Sequence, residues 1–219
     1  MNSKIKKLKI AIAGMGFGKK VHLEALKESD YFTPVAIYHY EHEKKSIIEK
    51  ETGLEFYHKW KDLIKSPEID GIIVATPPES RFKLSKLALE NNKNLLLEKP
   101  VAITSSEIQE LQRISLINNL SVCVDFEYRA VPLFLQTKKL IDEKILGEIY
   151  LVKLDWLMGS RSDPKRAWNW YSLEEKGGGV IGALGTHAFD ILNWFFGESI
   201  NVSGKLSTSI KKRPLPNSS

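Results

Sequence analysis

The tripeptide Glu98-Lys99-Pro100 follows the short apolar run Asn94–Leu97, which places two charged side chains where a strand is expected to end. Pro100 ends that strand and restricts Lys99 to an extended backbone. In open parallel sheets, ligands bind outside the carboxyl ends of the strands. Beside a bound cofactor, Lys99 would serve as a general acid or base. The alternative is an ordinary charged turn at the surface.

A glycine-rich segment predicts a site for the phosphates of a dinucleotide. It follows the predicted strand Leu8–Ala13, opens a predicted helix, and reads Gly14-Met15-Gly16-Phe17-Gly18. Glycines let the backbone turn tightly and approach a pyrophosphate, whose charge then faces the helix N-terminus. The third glycine stands one position earlier than in the usual G-x-G-x-x-G pattern, and Lys19 takes its place. A purely structural glycine turn is the alternative.

The end of the second predicted strand bears on which dinucleotide would bind. An acid there commonly holds the adenosine ribose hydroxyls, and it would repel a 2′-phosphate. Here the strand Val35–Tyr38 is followed by His39, with Glu41 close and Lys44 nearby. The missing acid at the strand end mildly favours NADP(H) over NAD(H). The alternative is that His39 only caps the strand.

Short apolar runs alternate with helical patterns through the first 126 residues. Continuously apolar runs are typical of strands that are buried on both faces of a parallel sheet. The predicted strands are Leu8–Ala13, Val35–Tyr38, Gly71–Ala75, Asn94–Leu97 and Val122–Phe126. The predicted helices are Lys19–Ser29, Glu41–Thr52, Ser80–Asn91 and Ser105–Asn118, the last with a capping-box pattern from Thr104 to Glu107. The repeated βα units predict an α/β fold in which residues 1–126 form a doubly wound Rossmann sheet.

The pattern changes beyond residue 126, where a partial second domain is expected over residues 127–210. Its predicted elements are the helices Pro132–Ile145 and Gly185–Phe196 and the strands Ile149–Leu157 and Val202–Ile210. Two helices and two strands are few for an independent core, and such strands expose edges that invite pairing with another chain. The polar, proline-containing tail at 211–219 is predicted to be disordered.

Composition and charge narrow the class of protein. The 219 residues are 42% hydrophobic and 27% charged, as in a soluble globular protein. The single cysteine, Cys123, excludes an internal disulfide, fits a reducing, cytoplasmic compartment, and is expected to be a buried structural thiol. The net charge of +5 is spread among many acids without interleaved aromatics, so we expect no nucleic-acid partner. No apolar run is long enough to predict a membrane span.

Together with Thr76-Pro77, the glycine segment and Glu98-Lys99-Pro100 resemble the Gfo/Idh/MocA family, which is named after glucose–fructose oxidoreductase, inositol dehydrogenase and rhizopine catabolism. The resemblance covers the N-terminal domain and continues to about residue 210. The stretch from Gly177 to His187 looks like the family's glycine-rich segment with its catalytic histidine, and Asp125–Arg129 looks like the domain junction. The resemblance implies a Rossmann domain followed by an α/β domain with an open, mixed or antiparallel sheet. It also implies an NAD(P)-dependent oxidoreductase, a sugar, cyclitol or related polyol as substrate, and a homo-oligomer.

Roles for individual residues follow from the resemblance and from the strand ends. The candidate cofactor-binding residues are Gly14, Met15, Gly16, Phe17, Gly18, His39, Thr76, Pro77, Glu98 and Lys99. Among them the glycines would hold the pyrophosphate, and Glu98 would lie near the nicotinamide ribose. The resemblance makes Lys99 a contact of the reacting hydroxyl or carbonyl and His187 the catalytic acid or base. The candidate substrate contacts are Lys99, Tyr128, Arg129, Trp168, His187 and Asp190.

The residue types at positions 99, 187 and 190 suit proton transfer to or from a substrate oxygen. Histidine titrates near neutral pH, so His187 suits proton transfer with a secondary alcohol or ketone, while Lys99 would stabilise charge on the reacting oxygen. Asp190 lies three residues after His187 on the same predicted helix face and is expected to orient its ring. The alternative for His187 is a packed core histidine, and the alternative for Trp168 is an ordinary wedge between domains.

Three departures from the family pattern leave two hypotheses open. Where relatives often have an aspartate and a histidine, this chain has Ala183 and Arg81, and it is expected to be C-terminally truncated. One hypothesis is an active NAD(P)-dependent oxidoreductase that is completed by oligomerisation or by a separately encoded fragment. The other is a remnant that binds dinucleotide without catalysis.

Overall fold

Six strands form one parallel sheet in the computed structural model of the chain, which describes residues 6–216. In chain order the strands are β1 (Leu8–Ala13), β2 (Phe32–Tyr38), β3 (Glu55–Tyr57), β4 (Gly71–Val74), β5 (Asn94–Leu97) and β6 (Val122–Val124). Their order across the sheet is β3-β2-β1-β4-β5-β6, and all five neighbouring pairs are parallel. The predicted α/β class and doubly wound Rossmann sheet are therefore confirmed.

The centre of the sheet is its most apolar part. Ala11, Ile12 and Ala13 of β1 are fully buried, and all four residues of β4 are buried beside them. Because helices cover both faces of such a sheet, its central strands carry apolar side chains in both directions. The register of β1 against β2 shifts next to Pro34, which has no backbone N–H to donate to a ladder.

Seven α-helices accompany the sheet over the described residues. They are α1 (Leu23–Lys27), α2 (Lys45–Thr52), α3 (Trp60–Lys65), α4 (Pro78–Glu90), α5 (Ser105–Ile117), α6 (Pro132–Asp142) and α7 (Thr186–Phe196). Wider π-helical turns at Gly18–His22 and Ile181–Gly185 lead directly into α1 and α7. The capping box of α5 is confirmed, because Thr104 Oγ1 accepts a hydrogen bond from the Glu107 N–H and the Glu107 carboxylate accepts one from the Thr104 N–H.

The chain divides by its contacts into two units, Met1–Asp125 and Phe126–Ser219. The first unit contains the whole sheet, including the unpredicted β3 and α3. The strands predicted at Ile149–Leu157 and Val202–Ile210 are not formed, so the mixed or antiparallel sheet expected in the second unit is absent from the described residues. A strand exists through its ladder, and these two segments are not paired with each other or with another strand.

The second unit consists of α6, α7, short 3-10 turns and irregular segments. The tail that was expected to be disordered is bound to a loop, which corrects that expectation for part of its length. Arg213 donates hydrogen bonds to the carbonyl oxygens of Arg161, Asp163 and Arg166, and the Trp168 N–H donates to the Pro214 oxygen at 2.7 Å. The last three residues, 217–219, lie outside the described residues.

Cys123 is exposed rather than buried, so that expectation was wrong. Its strand, β6, is at the edge of the sheet, and only one side of an edge strand is covered by a neighbour. Within residues 6–216, no helix has both the length and the apolar composition needed to cross a bilayer.

Candidate cofactor and catalytic site

In the glycine segment between β1 and α1, two positions have no room for a side chain and the third faces open space. Gly14 has φ +127°, and a Cβ there would lie 2.5 Å from the Ala75 carbonyl oxygen. A Cβ on Gly18 would lie 2.9 Å from Ile12 Cγ2, so this glycine lets the helix pack closely on β1. A Cβ on Gly16 would meet no atom within 4 Å. The loop therefore has the free backbone face that a pyrophosphate requires.

The two other residues of the loop differ in exposure. Met15 packs against the buried cluster of Ile37, Ile48 and Phe56, whereas Phe17 is exposed, and its ring makes a T-shaped contact with the His22 ring at a centroid distance of 5.3 Å. Helical backbone begins at Phe17 and continues through the π-turn to Lys27, two residues earlier at each end than the predicted helix.

The residues after β2 that were predicted to bear on the choice between NAD(H) and NADP(H) contact one another. His39 Nδ1 accepts a hydrogen bond from the Glu41 N–H at 3.1 Å, and the His39 ring stacks on Tyr40 at 4.8 Å. The Glu41 carboxylate pairs with Lys44, and hydrogen bonds from Lys44 and Tyr40 lower its pKa. An acid is thus present just beyond this strand end, although a lysine already neutralises it.

A buried arginine fixes the turns that follow β4 and β5. Arg81 of α4 is 3% exposed, and its guanidinium donates to the carbonyl oxygens of Thr76, Glu98 and Pro100. The bond to the Glu98 oxygen measures 2.5 Å. One planar guanidinium thus makes three hydrogen bonds that connect the turn after β4 with the turn after β5. Both turns carry candidate cofactor-binding residues.

The turn after β5 displays the charged pair that the sequence singles out. The Lys99 N–H donates to Glu98 Oε2 at 3.2 Å, Lys99 is half-buried, and the Lys99-Pro100 bond is cis. Across the neighbouring turn, Thr76 Oγ1 is buried without a hydrogen-bond partner among the described residues, while Pro77 is exposed. A buried hydroxyl of this kind fits a site that is completed by a polar ligand.

Glu98 also belongs to a cluster that the sequence analysis missed. His22 Nε2 lies 2.9 Å from Glu98 Oε1 and 3.6 Å from Asp125 Oδ2. The three groups bring their possible ligand atoms within 4.8 Å of one another. However, ligands of one zinc ion are separated by about 3.3–3.6 Å, given metal–ligand bonds of about 2.0–2.2 Å. The His22–Glu98 distance is that of a hydrogen bond, so these two groups are arranged as a donor and an acceptor.

The cluster sets the charge of Glu98. Burial alone would raise the pKa of this carboxyl, but the hydrogen bond from His22, the positive charges of His22 and Arg81, and a hydrogen bond with Asp125 outweigh it. The pKa of Glu98 therefore lies below its ordinary value, and Glu98 is ionised at neutral pH.

In the second unit, His187 is enclosed by aromatic rings. It is 3% exposed, and the ring centroids of Tyr128, Phe126 and Trp156 lie 4.9, 6.0 and 6.1 Å from its own. Its Nε2 atom lies 3.6 Å from the Glu127 carboxylate. Burial, with a smaller contribution from Glu127, raises the pKa of the Tyr128 hydroxyl.

Asp190, which was expected to orient the His187 ring, is instead engaged by Arg129. The Arg129 Nε and Nη2 atoms donate to Asp190 Oδ2 and Oδ1 at 2.8 and 2.6 Å. A bidentate pair of this kind occupies both carboxylate oxygens, so Glu127 is the carboxylate that approaches His187. Hydrogen bonding to Asp190 raises the pKa of the Arg129 guanidinium.

Trp168, the remaining candidate, lies in the loop that Arg213 binds. Trp168 is half-buried, and its backbone N–H donates a hydrogen bond to the Pro214 carbonyl oxygen. Farther along, Trp170 and Tyr171 stack at 3.7 Å, and the Arg161 guanidinium lies over the Tyr171 ring at 4.6 Å. This cluster presents aromatic faces and a cation within the second unit.

Sequence reasoning missed His22, Asp125 as a partner of Glu98, and Glu127. One available signal was not applied to the acids: Glu98 and Asp125 follow β5 and β6, which are neighbouring parallel strands, so their side chains meet at one sheet edge. His22 lies one helical turn after Gly18, on the helix that begins at the same edge.

The chain matches known families and proteins along nearly its whole length. Residues 8–126 match a family model described as an oxidoreductase family with an NAD-binding Rossmann fold, and residues 134–218 match the GFO/IDH/MocA C-terminal domain. An uncharacterized oxidoreductase of Synechocystis sp. is 39% identical over 210 residues, which are 95% of this chain and 57% of that relative. Levoglucosan dehydrogenase of Pseudarthrobacter phenanthrenivorans is 31% identical over 157 residues, 71% of this chain and 40% of that relative.

Solved structures agree with these matches. The complex of levoglucosan dehydrogenase with NADH and levoglucosan has a TM-score of 0.83 at 27% identity, covering 96% of this chain and 60% of that chain. The chain thus spans two fifths to three fifths of the length of these relatives. The matched models, the strand order and the glycine loop lead to one conclusion: the chain belongs to the Gfo/Idh/MocA family of oxidoreductases.

Proposed function

We propose that this chain carries the cofactor site of an NAD(P)-dependent oxidoreductase that acts on a sugar, a cyclitol or a related polyol. One observation carries the proposal. Gly14 and Gly18 are enforced by close approach of the backbone, while Gly16 between them faces open space at the head of a helix. This arrangement suits a pyrophosphate, and a structural turn alone does not need a glycine at position 16.

A bound nicotinamide would supply hydride acceptance or donation, and the protein would bind, orient and exchange a proton. We propose that Gly14–Gly18 holds the pyrophosphate, that Thr76 and Pro77 flank the cofactor, and that ionised Glu98 accepts from the ribose hydroxyls. The buried Thr76 hydroxyl, which has no hydrogen-bond partner among residues 6–216, supports this arrangement.

Lys99 is the proposed contact of the reacting oxygen, because its backbone is fixed beside Glu98 and its ammonium would stabilise developing negative charge. We propose His187 as the proton-transfer group of the second unit, with the Glu127 carboxylate 3.6 Å from its Nε2 atom. Tyr128, Arg129 and Trp168 are proposed substrate contacts.

The sugar-like substrate class is supported by a relative. Levoglucosan dehydrogenase, named for the sugar derivative that it oxidises, matches 71% of this chain. For the dinucleotide, His39 and Lys44 at the end of β2 favour NADP(H), whereas Glu41 at the same end favours NAD(H). The homologous complex contains NADH. Titration with both dinucleotides separates these alternatives.

The deciding experiment is a calorimetric titration of the chain with NAD⁺ and NADP⁺, followed by the Gly16→Trp variant. Gly204→Trp is the matched control, since a Cβ at Gly204 also meets no atom within 4 Å. We expect Gly16→Trp to abolish binding and Gly204→Trp to retain it, with both variants folded by circular dichroism. Absence of binding to the folded parent chain would exclude the proposed cofactor site.

A second candidate function, dinucleotide binding without turnover, is favoured by the burial of His187. Turnover assays with polyols separate the two. For an active chain, Lys99→Met and His187→Asn should each reduce kcat by about two to four orders of magnitude. No turnover by a chain that binds dinucleotide would favour the non-catalytic function.

We also propose that the chain associates with a second copy of itself. Within the region 149–157, Tyr150 is 94%, Leu151 87% and Leu157 91% exposed, which is unusual for apolar side chains. Light scattering of the purified chain tests self-association, and a well-behaved monomer would exclude the homo-oligomer.

A further inference from the structure

We propose that His22 is a positioning residue. It holds the Glu98 carboxylate, and through it the Glu98-Lys99 turn, in a fixed position relative to the glycine loop. The inference rests on the proposed function for the roles of Glu98 and Lys99. The family resemblance assigns no role to His22, and its contacts with Glu98 and Asp125 lie within the first unit.

The first step is the hydrogen bond itself. His22 is 6% exposed and Glu98 7%, and the His22 Nε2–Glu98 Oε1 distance is 2.9 Å. Because Glu98 is ionised, it can only accept here, so His22 Nε2 carries the proton. A charge-assisted bond between two buried groups is short, directional and difficult for water to replace.

Glu98 accepts two further hydrogen bonds, one through its carboxylate and one through its backbone carbonyl. Its other oxygen, Oε2, accepts from the Lys99 N–H at 3.2 Å, and its carbonyl accepts from Arg81 at 2.5 Å. The carboxylate therefore bridges the His22 ring and the backbone of Lys99. Movement of the ring would be transmitted to the backbone that carries the proposed catalytic ammonium.

The third step links the ring to the proposed pyrophosphate site. His22 closes the π-helical turn Gly18–His22, and its ring makes a T-shaped contact with the exposed Phe17 ring of the glycine loop at a centroid distance of 5.3 Å. One histidine thus contacts both the loop proposed for the phosphates and the acid proposed for the ribose. We infer that dinucleotide affinity depends on this ring although the ring itself is buried away from solvent.

Four groups determine how Glu98 titrates: His22 from the first helical segment, Arg81 from α4, Asp125 after β6, and the neighbouring Lys99. Asp125 is the second acceptor for the His22 proton, at 3.6 Å. Removing His22 would leave two carboxylates facing each other, and the repulsion between their charges would raise the pKa of Glu98.

The test uses the whole chain labelled with ¹³C at the glutamate carboxyl carbons, with the Glu98 resonance assigned from Glu98→Gln. We compare His22→Phe, which removes the donor, with His22→Gln, which keeps a neutral donor, and with His42→Gln as an exposed-histidine control. We expect the Glu98 pKa to rise by at least about one unit in His22→Phe, by less in His22→Gln, and not at all in the control.

The same variants are titrated with NAD(P)H by fluorescence between about pH 5 and pH 8. We expect the affinity of His22→Phe to fall at least about tenfold as the pH decreases, while the parent chain changes little. Should His22→Phe not fold, His22→Gln alone carries both measurements.

Three results would overturn the inference: an unchanged Glu98 titration in both His22 variants, a dinucleotide affinity that His22 does not affect, or a stoichiometric divalent metal that disappears with His22. The carboxyl titration needs neither cofactor nor turnover. If the parent chain bound no dinucleotide, the proposed function would fail while the His22–Glu98 linkage could still be measured.

Discussion

Replacing Arg81 with methionine should remove the clamp on the turns after β4 and β5. Methionine has a similar length and fills the buried space, but it donates no hydrogen bond. The carbonyl oxygens of Thr76, Glu98 and Pro100 would then lose their charged donor. Hydrogen bonds from a charged group contribute about 1.5–3 kcal/mol each, and water can replace part of this where the turns are half-buried. Relief of the desolvated guanidinium offsets another part, so we expect a net loss of about 3–5 kcal/mol.

The assay is urea unfolding followed by circular dichroism, with Lys83→Met as the matched control. Lys83 is an exposed cation on the same helix, so its removal should change the free energy of unfolding by less than about 0.5 kcal/mol. Arg81→Lys should recover only part of the loss, because one ammonium cannot reproduce the planar fork that reaches three carbonyls. If Arg81→Met were as stable as Lys83→Met, the clamp would contribute nothing and the reasoning would be refuted.

Three further predictions concern other parts of the chain. Gly14→Ala should destabilise the fold by at least about 2 kcal/mol in urea unfolding, because of its positive φ and backbone clash, whereas Gly16→Ala should not. The lowered pKa of Glu98 stabilises the fold above its ordinary pKa of 4.5, and this contribution is lost as the pH falls through the lower folded-state value. Unfolding below pH 4.5 should therefore show a pH slope, at most about 1.4 kcal/mol per unit for this proton, that Glu98→Gln reduces. Arg129→Met should lower the free energy of unfolding by about 1–2 kcal/mol, and combining it with Asp190→Leu should restore part of that loss, since Asp190 is otherwise left buried and unpaired. A double variant no more stable than the single one would contradict the pairing.

Local sequence was sufficient where an element has its own apolar run and its own stop signal. The bounds of β1 and β5 agree with the prediction at both ends, since Gly14 ends one run and the charged Glu98 ends the other. The strand Glu55–Tyr57 was not predicted, because it has three residues and only Phe56 is buried. A run of that length has no measurable period.

The second unit shows the limit of local patterns. The segment Ile149–Leu157 has the composition of a strand, but it forms none in the described residues. Composition reports what a segment would do beside a partner, and it contains no information on whether that partner is present. The same limit applied to the site: Lys99 could be placed from its neighbours in sequence, whereas the bond from His22 to Glu98 joins residues separated by 76 positions.

The strand order also determines when each strand can pair during synthesis of the chain. Among the described strands β1 is synthesised first, yet it lies in the middle of the sheet between β2 and β4. Its partner β4 ends at Val74, so at about 5–20 residues per second the nascent β1 waits about 3–12 s before its second edge can be paired. During that interval β1, whose Ala11, Ile12 and Ala13 are fully buried in the finished sheet, has an open edge. The open edge of β1 therefore makes the growing chain most prone to chaperone binding and misassociation before β4 has been synthesised.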